Sequence, residues 1–373
     1  NWLYGCDRQH DYLSVNVQIA IRILLIGVCL FAPLSFADLA AANKPSPVNA
    51  SNLTSITVHP NWQLVWQDEF SDPTLDTSKW SIEHSCWGGG NKEKQCYTPN
   101  KNNVFIQSGN LVLQALYGSS TGPALHPTHP DNLLSHTKTL PFSSGKVLSK
   151  GKGDWRYGRM EIRAKLPQGQ GTWPAIWMLP TDHIYGTWAA SGEIDIMEAV
   201  NLGTISDALF EPAVPQSIHT LETRVHGTLH YGASWPNNTY TGSGVILPNK
   251  INPADNFHTY AIEWEQGEIR WYVDNYHFLT QRSSTWYSRS KNANGEWITA
   301  ASDAPFNERF YLILNLAIGG VWPENTNEKG INTSDYPKQL LIDYVRVYKC
   351  NNALNTGKGC AAIDPKARIL LTQ

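Results

Sequence analysis

The sequence is poor in charge, in methionine and in long apolar runs. Only 16% of its 373 residues are charged, three are methionine, and the formal net charge is −3. No polybasic signature marks it for nucleic acid, and a neutral partner suits this balance better than a strongly charged one. The apolar run from Ile23 to Phe36 is too short for a comfortable membrane span. No window sustains the 3.6-residue periodicity of an amphipathic helix, and no internal repeat is present, so bundles and solenoids are excluded. Cysteines are few. Beyond that run only Cys86, Cys96, Cys350 and Cys360 remain, and neither pair is spaced like a zinc site.

What the chain has in quantity is rings and turns: 15 Trp, 16 Tyr and 10 Phe, with 28 Gly and 22 Pro. Such rings fill a sandwich core or line a groove and stack on the apolar faces of sugars. Short alternating segments recur between Gly, Pro and Asn turns: Trp62 to Trp66, Val104 to Gln107, Leu111 to Ala115, Gly158 to Leu166, Thr172 to Pro180, Thr223 to Tyr231, Thr259 to Trp264, Glu268 to Val273, Phe310 to Ala317 and Leu341 to Tyr348. This predicts an all-β fold, most simply two packed antiparallel sheets.

Residues 1–37 read as a leading extension plus a secretory signal, with Arg22 before the apolar run and cleavage after Ala37. The polar residues 1–16 do not suit such a signal, which puts the expected start near Val17. Residues 38–56 read as a flexible lead-in, 57–350 as one domain, and 351–373 as a C-terminal tail. Export permits disulfides, and Cys86–Cys96 with Cys350–Cys360 is the expected pairing among three.

The chain is organised around SGEIDIMEAV, Ser191 to Val200. On a strand, Glu193 and Asp195 share one face while Ile194 and Ile196 point into a core. Strict alternation would then bury Glu198 and expose Met197, which is costly. A β-bulge at Ile196–Met197 returns Glu198 to the face of the other two acids. Three carboxylates on one side of one strand repel one another, which costs stability and suits acid/base chemistry at a glycosidic bond. Such hydrolysis needs one protonated and one ionised carboxyl, and the charge of Asp195 between the glutamates raises their proton affinity. Long Glu side chains from these positions can converge to roughly 5–5.5 Å, the separation of a retaining mechanism. Spacing leaves open which glutamate attacks. A divalent metal held by the acids is the rival reading, weakened because no histidine or oxygen-rich loop adjoins them in sequence.

The string GEIDIME, Gly192 to Glu198, resembles the active-site strand of glycoside hydrolase family 16, in particular that of bacterial endo-β-1,3-glucanases (laminarinases). The resemblance runs from Trp62 to Tyr348, through VWQDEF (Val65 to Phe70), WGGGNKEKQCYT (Trp87 to Thr98), YGRMEIRAKLP (Tyr157 to Pro167), GTWPAIWMLP (Gly171 to Pro180), HGTLHY (His226 to Tyr231), LNLAIGG (Leu314 to Gly320) and DYVRVY (Asp343 to Tyr348). It implies a concanavalin A-like β-jelly roll with an open cleft on its concave face. It makes Glu193 the nucleophile, Asp195 its supporting acid and Glu198 the general acid/base. Trp173, Trp177, Arg159, His230 and Trp322 are implied on the cleft face, and Asn91 and Glu93 as sugar contacts on the non-reducing side. No cofactor is implied for catalysis. A structural calcium on the convex side would be held by Glu69, the Gly109 carbonyl and Asp343. The two cysteines in CWGGGNKEKQC depart from the pattern and leave the geometry of that loop open.

The expected protein is therefore a secreted, monomeric endo-hydrolase of β-1,3- or mixed β-1,3/1,4-glucan, with no membrane contact after signal removal. A glucan-binding module without activity, a transglycosylase and a galactanase are the competing readings.

Overall fold

The computed structural model describes residues 61–129, 136–207, 220–301 and 303–370. The expected signal, 1–37, and lead-in, 38–56, lie outside the described residues.

Two large sheets face each other. One has seven strands in the order Asn238–Ile246, Arg224–Gly232, Glu193–Glu198, Thr172–Pro180, Phe310–Ile318, Lys146–Leu148 and Ser81–Ile82, every neighbour antiparallel. The other has eleven strands, built around Gly158–Lys165, Lys338–Cys350 and His258–Glu265. Alternation decides which side chains meet between them. Met160, Ile162 and Ala164 turn inward to join Ile194, Ile196, Met197, Leu229 and Leu312 in one buried cluster, while Arg159, Glu161 and Arg163 take the outer face. Each fully buried Leu, Ile or Phe contributes about 1.5–3 kcal/mol, and this cluster holds the sheets together.

The jelly-roll expectation is met, with additions at the edges. Two pairings are parallel: Gln95–Tyr97 with Thr137–Ser144, and Tyr276–Arg282 with Arg368–Ile369. The Gly- and Ser-rich residues 118–123 continue the strand Asn110–Pro123 and pair with Thr137–Ser144. The strands Asn238–Ile246 and Tyr276–Arg282 were not expected; their polar and turn-forming residues hide the alternation. A hairpin turn at Ser108-Gly109 joins Val104–Gln107 to Asn110–Pro123, and both residues have positive φ, as a two-residue turn of type I′ requires.

Both expected disulfides are formed, Cys86–Cys96 and Cys350–Cys360. The described part of the C-terminal segment, closed by Cys350–Cys360, packs onto the domain. Ala362 donates its N–H to Glu263 at 2.8 Å and accepts from the Tyr272 hydroxyl at 2.7 Å, and Arg368–Ile369 adds a strand to the sheet edge.

Candidate active site

The strand Glu193–Glu198 lies third from one edge of the seven-stranded sheet. Its pairing slips on both sides between Asp195 and Glu198, so the bulge inferred from the sequence is there. Ile196 and Met197 are both buried in the core, and Glu193, Asp195 and Glu198 emerge together on the concave face.

Each acid has its own support. Trp188 donates its indole N–H to Glu193 Oε2 at 2.8 Å, and Trp173 donates to Glu198 Oε1 at 3.0 Å. His230, directly across the ladder from Glu193, brings Nε2 to 3.7 Å from Glu193 and 3.4 Å from Asp195. Trp177, paired with Asp195 on the other neighbour strand, is fixed by Asn315 at 2.6 Å and lies under the Lys146 ammonium at 5.3 Å. Trp322 meets Trp173 edge-on at 5.5 Å and His226 at 5.0 Å.

Burial, then the charge of Asp195, pushes Glu193 up to about 7 and Glu198 up to about 8. The sequence argument named the charge; desolvation is the larger cause. For His230, burial works against the charged ring, but the contact with Asp195 and the charges of Glu193 and Glu198 outweigh it and carry it to about 9. His226 goes the other way: burial and Arg224 lower it to about 4, so it stays neutral. The site therefore holds an imidazolium against two of its acids, and two glutamates whose burial keeps them protonated well above the ordinary carboxylate range.

Asn91 and Glu93 lie at one flank. Glu93 is buried, with Gln95 donating to it at 2.7 Å, and burial raises its carboxyl. The Asn91 carbonyl accepts from Val321 at 2.9 Å, which ties this loop to the turn carrying Trp322. A Cβ on Gly320 would lie 3.1 Å from the Asn91 carbonyl and 3.5 Å from Trp173, so loop and cleft aromatics are in contact range.

Arg159 is a correction. It belongs to the other sheet and faces outward, where it binds Glu161 at 2.7 Å and Glu263 at 2.9 Å. Alternation forces this, because Met160 next to it occupies the core.

The carboxylates expected to hold calcium have other partners. Glu69 gives both carboxylate oxygens to Arg346, each at 2.8 Å, and Asp343 accepts from Arg163 at 2.6 Å. Gly109 sits in the turn of the hairpin Val104–Gln107/Asn110–Pro123. Both carboxylates are thus paired with guanidinium groups.

The rival metal reading changes too. His230 does adjoin the acids, and single donor atoms of Glu193, Asp195 and His230 lie within 4.8 Å of one another. That is close enough for the three to hold a metal ion together.

Sequence reasoning missed Trp188, His226 and Asn315. Trp188 stands in GTWAASGE, a turn segment with no periodicity to place it, and only its nearness to the first acid hinted at a role. His226 alternates with His230 along one strand and could have been found from that spacing.

Paired, differently supported carboxylates on the concave face of a jelly roll define a glycoside-cleaving class of site. Comparisons with known proteins agree. Residues 62–350 match the family model described as "Beta-porphyranase A-D, GH16 domain". The chain is 41% identical over 294 residues to glucan endo-1,3-beta-glucosidase A1 of Niallia circulans, covering 77% of this chain but 38% of that protein. It is 36% identical over 298 residues to the beta-glucanase of Rhodothermus marinus, covering 78% of this chain and 86% of the relative. Among solved structures, the catalytic domain of the endo-1,3-beta-glucanase (laminarinase) of Thermotoga petrophila superposes with a TM-score of 0.57 at 30% identity, over 79% of this chain and all of that domain. The chain belongs to glycoside hydrolase family 16.

Proposed function

We propose that this chain is an endo-acting hydrolase of β-1,3-glucan that also accepts mixed β-1,3/1,4-linkages and works with retention. The observation that carries the reading is the bulged strand, which brings Glu193, Asp195 and Glu198 to one face with a separate indole donor on each glutamate. Glu193, beside the His230 cation and the Trp188 N–H, is the more readily ionised and attacks the anomeric carbon. Glu198 gives its proton to the departing glycosidic oxygen, and the glycosyl ester on Glu193 forms as that bond breaks. Glu198 then takes a proton from water, whose oxygen attacks the same carbon and frees Glu193. Asp195 stays between them and holds His230 charged.

Neutral glucan fits the cleft surface. Lys146, over the Trp177 ring at 5.3 Å, is already paired with Glu83 at 3.0 Å. The 41% identity to a glucan endo-1,3-beta-glucosidase supports the same choice. The porphyranase description of the family model favours a second reading, a galactan substrate. Incubation with laminarin, lichenan, agarose and porphyran, followed by product chromatography, separates them. Short β-1,3-oligosaccharides from laminarin support the glucanase; products from the galactans alone overturn it.

Export as a monomer remains part of this reading, and two closed disulfides support an oxidising compartment. Among the described residues no helix is long and apolar enough to cross a membrane.

A further inference from the structure

Glu193, His230 and Tyr240 stand in one row across three strands, each the direct cross-strand partner of the next. Direct partners share a face of the sheet, so all three look into the cleft. Tyr240 is on the outermost strand, and its side chain is 67% exposed. Its ring lies 5.5 Å from the His230 imidazole at 34°, and Trp188 approaches the same imidazole at 5.7 Å and 39°. A charged ring thus touches two aromatic neighbours. The far side of one of them, Tyr240, is open to solvent.

Along the same face of that strand the next two positions are Gly242 and Gly244. A Cβ on Gly242 would come 2.7 Å from the Thr228 hydroxyl, and one on Gly244 would come 2.7 Å from the His226 ring. Beside Tyr240 its own strand therefore raises no side chain on this face, and the Thr228 and His226 side chains of the neighbouring strand lie over the two glycines. A largely exposed ring, continuous with the catalytic row, offers a flat apolar surface of the kind on which the C–H face of a pyranose lies.

We propose that Tyr240 is the stacking platform of a further sugar-binding position, on the flank of the cleft reached by crossing His230 from Glu193. The position takes a neutral pyranose of the bound chain and sets how tightly long chains are held. Tyr240 makes no contact with the reacting atoms, so it determines affinity and chain length rather than chemistry. The inference rests on the proposal that the cleft holds a neutral polysaccharide.

The test is calorimetric binding of laminarihexaose and of neoagarohexaose to Glu193→Gln protein, with Tyr240→Ala and Tyr240→Phe added in that background. Tyr240→Ala should weaken binding of whichever hexasaccharide is held by about tenfold, near 1.4 kcal/mol, and Tyr240→Phe should restore most of it. An alanine variant that binds as tightly as its parent overturns the platform, and so does equal loss in both variants, because a ring without its hydroxyl must suffice. Binding of neoagarohexaose alone overturns the glucan reading, while the alanine comparison still decides the platform. Binding of neither overturns both. Because Tyr240 is largely exposed, a matched thermal melt separates loss of the ring from loss of the fold.

Discussion

Trp271, from the strand Glu268–Val273 of the opposite sheet, donates its indole N–H to the main-chain carbonyl of Asp195 at 2.8 Å. That carbonyl is at the bulge, where the ladder changes register, and the indole satisfies it from inside the core. Gly227, on the strand beside the acids, makes the approach possible: a Cβ there would lie 2.5 Å from Trp271 Cδ1. The catalytic strand is thus bent by its own sequence and held in that bend by the other sheet.

Removing the indole donor should loosen the bulge. Trp271→Phe leaves a buried carbonyl unsatisfied and a small cavity, for an expected loss of about 2–4 kcal/mol. Because Glu198 lies past the bulge, kcat should fall more than KM rises. Denaturant titration and steady-state kinetics on laminarin read the two effects separately.

The two glutamates should fail differently. Glu193→Gln should remove activity on every substrate. Glu198→Gln should lose about 10²–10⁴-fold on laminarin, yet keep glycosylation of aryl glycosides whose leaving group needs no proton. Burst kinetics with a dinitrophenyl glycoside would then show fast phenol release followed by slow turnover. Equal loss on both substrates would contradict the assigned roles.

The pH profile follows from the raised carboxyls. Activity needs one glutamate ionised and the other protonated, so kcat/KM should be bell-shaped and centred between about 7 and about 8. His230 lowers Glu193, so His230→Gln should move the acid limb to higher pH. Stability should run against pH. The glutamates, raised from 4.5, are most favourable below that value, and their contribution is lost as pH climbs to about 7 and about 8. The His230 contribution is complete below 6.5 and lost towards about 9. Melting temperature should therefore fall on raising pH across this range, and Glu198→Gln should melt about 2–6 °C above the parent at alkaline pH.

Arg159 separates stability from function. It bridges Glu161 and Glu263 in a buried cluster that also anchors the C-terminal segment through Tyr272 and Ala362. Arg159→Met should cost about 3–5 kcal/mol by stranding buried carboxylates, and KM should be unchanged. A KM effect without a stability effect would return Arg159 to the cleft.

Chelation tests the convex side. Because Arg346 and Arg163 neutralise Glu69 and Asp343, EDTA should leave the melting temperature unchanged, and added calcium should not raise it. A calcium-dependent rise would contradict this.

Much of this was legible in the sequence where side-chain period and charge conflict. The bulge had to exist because a two-residue period would have buried Glu198, and the core had to receive Met197 instead. Both disulfides followed from nearest-neighbour spacing. Arg159 was misplaced because a motif fixes sequence order and not the face of a strand; the buried Met160 beside it carried the better signal. Trp188 was unreadable because its position depends on a turn, and Tyr240 because its strand is broken in pattern by Gly242 and Gly244. Cross-strand register, which no single segment contains, assembled the row from Glu193 to Tyr240.

The most direct measurement is the proton NMR spectrum of laminarin recorded from the first seconds after adding the protein. Appearance of β-anomeric reducing ends of short oligosaccharides, converting to the α-form only by later mutarotation, is the expected result. First products in the α-form, or no new reducing ends from folded protein, would contradict it.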